Sequence, residues 1–340
     1  MMRRGWTVLV GLLVIVGLGF GLSYLPVPYV ALGPGPTVDT LGRSDGKEII
    51  VITGRQTSTS KGHLNLTTVS VRDRLSLLTA ARYWVDSSTA VVPRDLVYPP
   101  DKTDKQVEKQ NQQDFKSSQT SAETSALREL GYPVEVSVDS LPAGSPSVGK
   151  LAKGDLLTTV DGKKVTSSQR LIELIRMHKA GETVRIGYIR GGKPATAAVK
   201  TSAAAETKQP VIGVQIDQKQ PHPFEIKFEL DRIGGPSAGL MFALGIIDKL
   251  KPEDLTGGTF IAGTGEIDDE GNVGPIGGIP QKMIAARAAG ATVFLAPAGN
   301  CAEAVRTTPP GLRLIKVQKL DDALTSLDGL RNNRKNLPKC

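Results

Sequence analysis

Histidine is nearly absent from this chain: His63, His178 and His222 are the three in 340 residues. All of them precede Gly235-Pro236-Ser237-Ala238-Gly239, which has the Gly-x-Ser-x-Gly spacing of a nucleophile elbow. Hydrolases built on that elbow run serine, acid, histidine along the chain, so this order excludes them. Other folds place histidine first, but His178 falls in an amphipathic helical pattern and His222 sits between prolines. His63 is left as the one histidine with a claim to be the base of an esterase-type site.

Cysteine is equally scarce. Cys301 and Cys340 have no metal-ligand spacing, so no metal site is expected. They form either one disulfide that ties back the C-terminal tail, in a domain outside the cytoplasm, or two free thiols. Aromatic residues make up only 4% and do not interleave with a basic face. The formal charge of +8 therefore fits an anionic lipid surface better than nucleic acid.

Long apolar runs are missing too, with one exception. Trp6–Leu25 holds twenty residues without a charge, and a helix needs roughly 20 to cross the hydrocarbon core. Arg3 and Arg4 precede it and no basic cluster follows, which places the short N-terminus inside and the rest outside. The expectation is a single-pass cell-membrane protein with its catalytic part extracytoplasmic. A cleaved signal peptide is the rival, although no A-x-A site follows.

The remaining chain divides by composition. Residues 26–46 read as an extended linker, from the prolines and glycines of PVPYVALGPGP. Residues 47–130 carry strands at KEIIVIT and HLNLTTVSV, a helix at Arg74–Val85 and, after a proline break, a long, mostly exposed helix from Thr103 to Gly131. Residues 131–202 form a compact unit: the strand VEVSVDS, a hairpin turning at Asp161-Gly162, an amphipathic helix SQRLIELIRMHKA and the strand TVRIGYIR. Within it Gly144–Lys150 has the spacing of a phosphate loop, but Leu151 stands where the magnesium ligand belongs and no long helix follows. That stretch reads as a turn, and no ATP is expected.

Residues 203–340 hold the candidate site. The strand Phe224–Leu230 feeds the glycine turn that sets Ser237 at the head of an apolar helix. A second glycine turn precedes Lys282, which lies among Ile276, Ile279, Met283, Ile284, Ala285 and Ala286. Lysine titrates near 10.4 and is a base at neutral pH only if desolvated. Apolar surroundings supply that shift, so serine and lysine together make a nucleophile with an amine base. Backbone N–H groups from Gly235 to Ser237, on the turn shaped by Pro236, are candidate oxyanion donors.

Two resemblances add to this. SLPAGSPSVGKLAKGDLLTTVDG and AGETVRIGYIRGG resemble the PDZ domains attached to bacterial envelope proteases. Peptide binding by strand addition is implied, with Gly131 and Tyr132 in the carboxylate-binding loop, although the usual Gly-Leu-Gly-Phe loop is missing. GGPSAGLMFALGIID and AGTGEIDDEGNVGPIGGIPQKMIAARAAGATVFLAP resemble the catalytic domain of the Lon proteases. That resemblance implies an α+β fold, a Lon-type proteolytic domain of the ribosomal protein S5 domain 2-like kind. Ser237 would be the nucleophile, Lys282 the general base and Thr264 a support for the amine. The chain departs from the pattern at Gly234, where the ATP-driven enzymes carry aspartate.

Together these imply an ATP-independent, membrane-anchored Lon-like peptidase without a cofactor, acting on protein or peptide substrates. Residues 47–130 would be the first part of the protease domain, with the PDZ unit inserted, or a separate N-terminal region. A catalytically silent, membrane-tethered binding module is the alternative, and self-association of the chain is left open.

Overall fold

The computed structural model describes residues 6, 9–14, 17, 21, 24–44, 46–230, 233–334 and 336–340. The run Trp6–Leu25 is interrupted by residues outside this set, so the expected spanning helix lies outside the described residues. Among those described, no helix is long and apolar enough to cross a membrane.

The elements up to residue 129 are β1 (Tyr29–Asp39), β2 (Ile50–Thr53), β3 (His63–Arg72), α1 (Leu77–Val85), β4 (Ala90–Pro93) and α2 (Asp104–Glu129). A middle unit follows, with β5 (Glu135–Ser140), β6 (Leu156–Val160), α3 (Ser168–Arg176), β7 (Thr183–Arg190), β8 (Lys193–Lys200) and β9 (Gln215–Lys219). The last part holds β10 (Glu225–Phe228), α4 (Gly239–Leu250), β11 (Phe260–Gly263), α5 (Ile279–Ala288), β12 (Val293–Pro297), α6 (Cys301–Thr307), β13 (Arg313–Val317) and α7 (Leu320–Arg331).

A six-stranded mixed sheet in the order β13-β12-β11-β3-β1-β4 joins the two ends of the chain. Its seam is the parallel pairing of β3 with β11, His63 opposite Phe260 through Leu66 opposite Gly263. β10 likewise returns to pair antiparallel with β2. The chain thus leaves this domain after α2 and re-enters it at β10. The middle unit is built on its own sheet, β8-β7-β6-β5-β9, with a separate apolar core around Val136, Leu157, Leu174 and Ile186.

The sheet corrects two expected boundaries. The proline- and glycine-rich run is not a linker: Tyr29–Asp39 is the strand β1, paired with β3 on one side and β4 on the other. Extended backbone suits proline, and the register shifts between Pro34 and Thr37, where an irregularity absorbs the missing N–H groups. At the other boundary the middle unit does not end at residue 202. β9 lies beyond it and pairs antiparallel with β5, Gln215 opposite Ser140 and Lys219 opposite Glu135.

Two helices organise the catalytic half. Every residue of α4 is buried, as the apolar run Gly239–Ile247 requires, and the burial extends to Asp248 and Lys249 near its end. Truncating one of its large residues, such as Phe242, would cost about 3–5 kcal/mol through transfer and cavity terms. α2 begins with a capping box formed by Thr103 and Gln106 and ends before Gly131 at positive φ. It is less exposed than its composition suggests: Phe115, Ser118, Ala122 and Thr124–Leu127 are buried, and Phe115 packs edge-on against Phe242 of α4.

Candidate active site

Ser237 stands just before α4, whose N-cap is Ala238. Gly235 ahead of it has φ of 84°, which favours glycine, and turns the chain sharply into the helix. Lys282 lies in the first turn of α5, after Gly278 at φ 70°, and its N–H donates to the Gly278 carbonyl at 3.1 Å. A Cβ on Gly278 would come within 2.6 Å of Val69 Cγ2, so this turn presses directly on β3. The two glycine turns bring the side chains together: Lys282 Nζ lies 2.7 Å from Ser237 Oγ and 2.8 Å from Thr264 Oγ1.

The hydrogen-bond inventory fixes the roles open to each group. Thr264 is fully buried, and its hydroxyl donates to the Ser237 carbonyl at 3.0 Å. Its oxygen is then free to accept from the lysine amine. With an N–H so committed, the lone pair of a neutral Lys282 faces the Ser237 hydroxyl, which has the geometry to donate to it. Lys282 is only 3% exposed. Burial strips water from the ammonium and lowers its pKa from 10.5 to about 7, against an opposing pull from Glu266.

The cavity beside the pair measures about 390 Å³ and is lined by Ser237, Lys282, Glu266, Ile233 and, from the other half of the domain, Pro36 and Thr67–Val69. β1 and β3 therefore form a wall of the site that the glycine motifs alone do not reveal. α2 supports the turn from behind: Ser118 Oγ donates to the Pro236 carbonyl at 2.8 Å, and the Asn111 carbonyl accepts from the Gly235 N–H at 2.8 Å. These contacts remove Gly235 and Pro236 from the expected oxyanion donors and leave Ser237. Gly235 has spent its N–H on Asn111, and Pro236 has none to offer. The amides of Ser237 and Ala238, at the start of α4, donate to no acceptor among the described residues.

Gly234 also acquires a local reason. A Cβ there would lie 3.0 Å from the Asn111 side chain, so the close approach of α2 occupies the space an aspartate would need. His63 is not part of the site. Its Nδ1 lies 2.6 Å from Asp39 Oδ2 and its ring stacks at a tilt on Phe260, at the opposite end of β3 from the cavity.

In the middle unit, Gly131 and Tyr132 do not face a peptide groove. The Tyr132 ring packs on Phe224 and His222, its hydroxyl accepts from Arg55 and its carbonyl accepts from Gln220. An apolar groove lies instead between α3 and the edge strand β9, where a cavity of about 200 Å³ is lined by Leu171, Ile175, Val211, Ile212, Val214 and Ile216. The segment Val211-Ile212-Gly213-Val214, with Gly213 at φ 69°, leads into that strand. It lies beyond residue 202, where the sequence places the end of the unit.

A buried serine–lysine pair at the head of a helix defines a hydrolase of the serine nucleophile class. Residues 232–327 match the Lon protease (S16) C-terminal proteolytic domain, and residues 106–201 match the PDZ domain. Lon protease 3 of Sorangium cellulosum is 28% identical over 203 residues, 56% of this chain and 24% of that protein. The Lon protease of Phenylobacterium zucineum is 38% identical over 93 residues, 26% of this chain and 12% of that protein. Among solved structures, the PDZ domain of an SdrC-like protein from Listeria monocytogenes is 37% identical, covering 24% of this chain and 85% of that one with a TM-score of 0.23. The chain therefore spans a quarter or less of the length of these two curated relatives. It carries a Lon-type proteolytic domain together with a PDZ domain.

Proposed function

We propose that this chain is an ATP-independent, membrane-anchored endopeptidase that cleaves protein or peptide substrates outside the cytoplasm through Ser237 and Lys282. The observation that carries the reading is the 2.7 Å contact between a lysine amine buried to 3% exposure and the serine oxygen. Neutral Lys282 takes the Ser237 proton as the oxygen attacks the peptide carbonyl. The ammonium returns that proton to the leaving amine, and water then hydrolyses the acyl-enzyme. The oxyanion falls to the amides of Ser237 and Ala238, strengthened by the positive end of α4. Thr264 holds the amine in place.

The extracytoplasmic setting is supported by the Cys301–Cys340 disulfide, which closes the last 39 residues onto α6. The anchor is supported by the charge-free run Trp6–Leu25 after Arg3 and Arg4, whose described large side chains, such as Trp6, Leu12 and Leu13, stand exposed. ATP has no counterpart in a reaction placed outside the cell. The PDZ unit would take an extended peptide as an added strand on β9, its apolar side chain in the cavity beside Leu171 and Ile216.

The test is casein or peptide-library cleavage by the full chain in detergent, beside Ser237→Ala and His63→Ala. Activity is expected to vanish in the first variant and persist in the second. A folded wild-type protein that binds peptides without cutting them would leave only a tethered binding module.

A further inference from the structure

A helix on a water-soluble domain turns its apolar side inward. α1 does the reverse. Ala80 is its buried residue, while Leu77, Leu78, Ala81, Trp84 and Val85, which share one face by their spacing, point outward. Leu78 is 65%, Trp84 74% and Val85 84% exposed. Beyond residue 100 the exposed large hydrophobic residues among those described are Val148, Met177 and Val305, which lie far apart in the chain. The concentration on α1 is therefore a surface built for contact.

Its neighbour says with what. The first turn of α1 is hydrogen-bonded to the end of the apolar N-terminal run: Leu77 N–H donates to the Leu25 carbonyl at 3.1 Å and Val27 N–H to the Leu75 carbonyl at 2.9 Å. A run that leaves the hydrocarbon at Leu25 holds Leu77 at headgroup depth. Arg74 and Arg82, both exposed, bracket the apolar face with groups suited to lipid phosphates. Trp84 is of the residue type that favours the interfacial layer. A nine-residue helix face is small for a stable contact between two protein copies. It is ample for a surface that the anchor already holds close by.

We infer that α1 docks flat into the interfacial layer of the bilayer beside the anchor, so that the catalytic domain lies against the membrane surface; this rests on the anchor reading above. The chain has two tryptophans, Trp6 and Trp84, so each is isolated by one substitution. The full chain is placed one copy per lipid nanodisc as Trp6→Phe and as Trp84→Phe, with bromine-labelled lipids as quenchers. In Trp6→Phe, Trp84 emission is expected to fall about twofold with bromines near the headgroups and less with bromines deep in the chains. Adding Leu78→Glu and Val85→Glu should abolish that quenching while cleavage of a soluble peptide stays unchanged. Quenching of Trp6 but not Trp84 overturns the docking and leaves the anchor standing. Quenching of neither overturns both. Blue-shifted but unquenched Trp84 emission would mean a protein contact and would also overturn it.

Discussion

Among the described residues two lysines are buried in the Lon-type domain, and their surroundings differ in one respect. Lys249, near the end of α4 and 8% exposed, lies 2.9 Å from the Glu48 carboxylate. That hydrogen bond holds the Glu48 carboxyl below its ordinary range. Lys282 is 3% exposed and is offered only the hydroxyls of Ser237 and Thr264. Burial alone therefore does not make a base. A buried ammonium with a carboxylate is half of an ion pair; one given only hydroxyls is driven to shed its proton.

The sharpest way to break this contrast is to put a permanent charge at each position. Lys282→Arg keeps a cation that does not deprotonate, and peptide cleavage should fall at least about a thousandfold. Lys249→Arg should leave the rate within about twofold, because that site needs only the charge. Thr264→Val removes the acceptor that orients the amine. A loss of about 10- to 100-fold in kcat, with KM little changed, is expected in steady-state kinetics.

The pH dependence separates the lysines next. The rate should rise with pH through a midpoint of about 7 as Lys282 becomes neutral, falling about tenfold per unit below it. Stability is linked to the same group. Between about 7 and 10.5 the unfolded chain binds more protons at this lysine than the folded one, so its contribution to stability rises with pH over that window. Denaturation midpoints of Lys282→Met across those pH values should lose that slope.

The smallest effect is an asymmetry at the ion pair. Glu48→Gln strands a buried cation and should cost about 1–2 kcal/mol. Lys249→Met leaves a carboxylate that is half exposed and should cost less than about 1 kcal/mol. Urea unfolding of the two variants measures the difference.

The approach of Ser237 and Lys282 is legible in the sequence because local features produce it: two glycine turns, each opening a helix, with apolar residues around the lysine. The parts that escape are set by partners distant in the chain. Nothing local to PVPYVALGPGP says that β3 and β4 will flank it, and its prolines argue against a strand. The polar face of α2 conceals Ser118 and Asn111, whose contacts with the nucleophile turn appear only after the chain has folded back. β9 pairs with β5 across more than seventy residues, so nothing local to it shows that it belongs to the middle sheet.

The short hairpin Glu266–Gly274 links the two domains. At its base are Thr264, bonded to the lysine, and Glu266, on the cavity wall. At its tip Asp269 accepts from Gln218 of β9 at 2.9 Å and from Ser121 of α2 at 2.9 Å, while Glu270 accepts from Thr166 at 2.7 Å. The strand that edges the PDZ groove and the loop that positions the base are thus neighbours through a single carboxylate. Loss of the Gln218 side chain would free a carboxylate three residues from Glu266 on the cavity wall. The two domains are mechanically tied at one side chain, without any apolar contact being needed there.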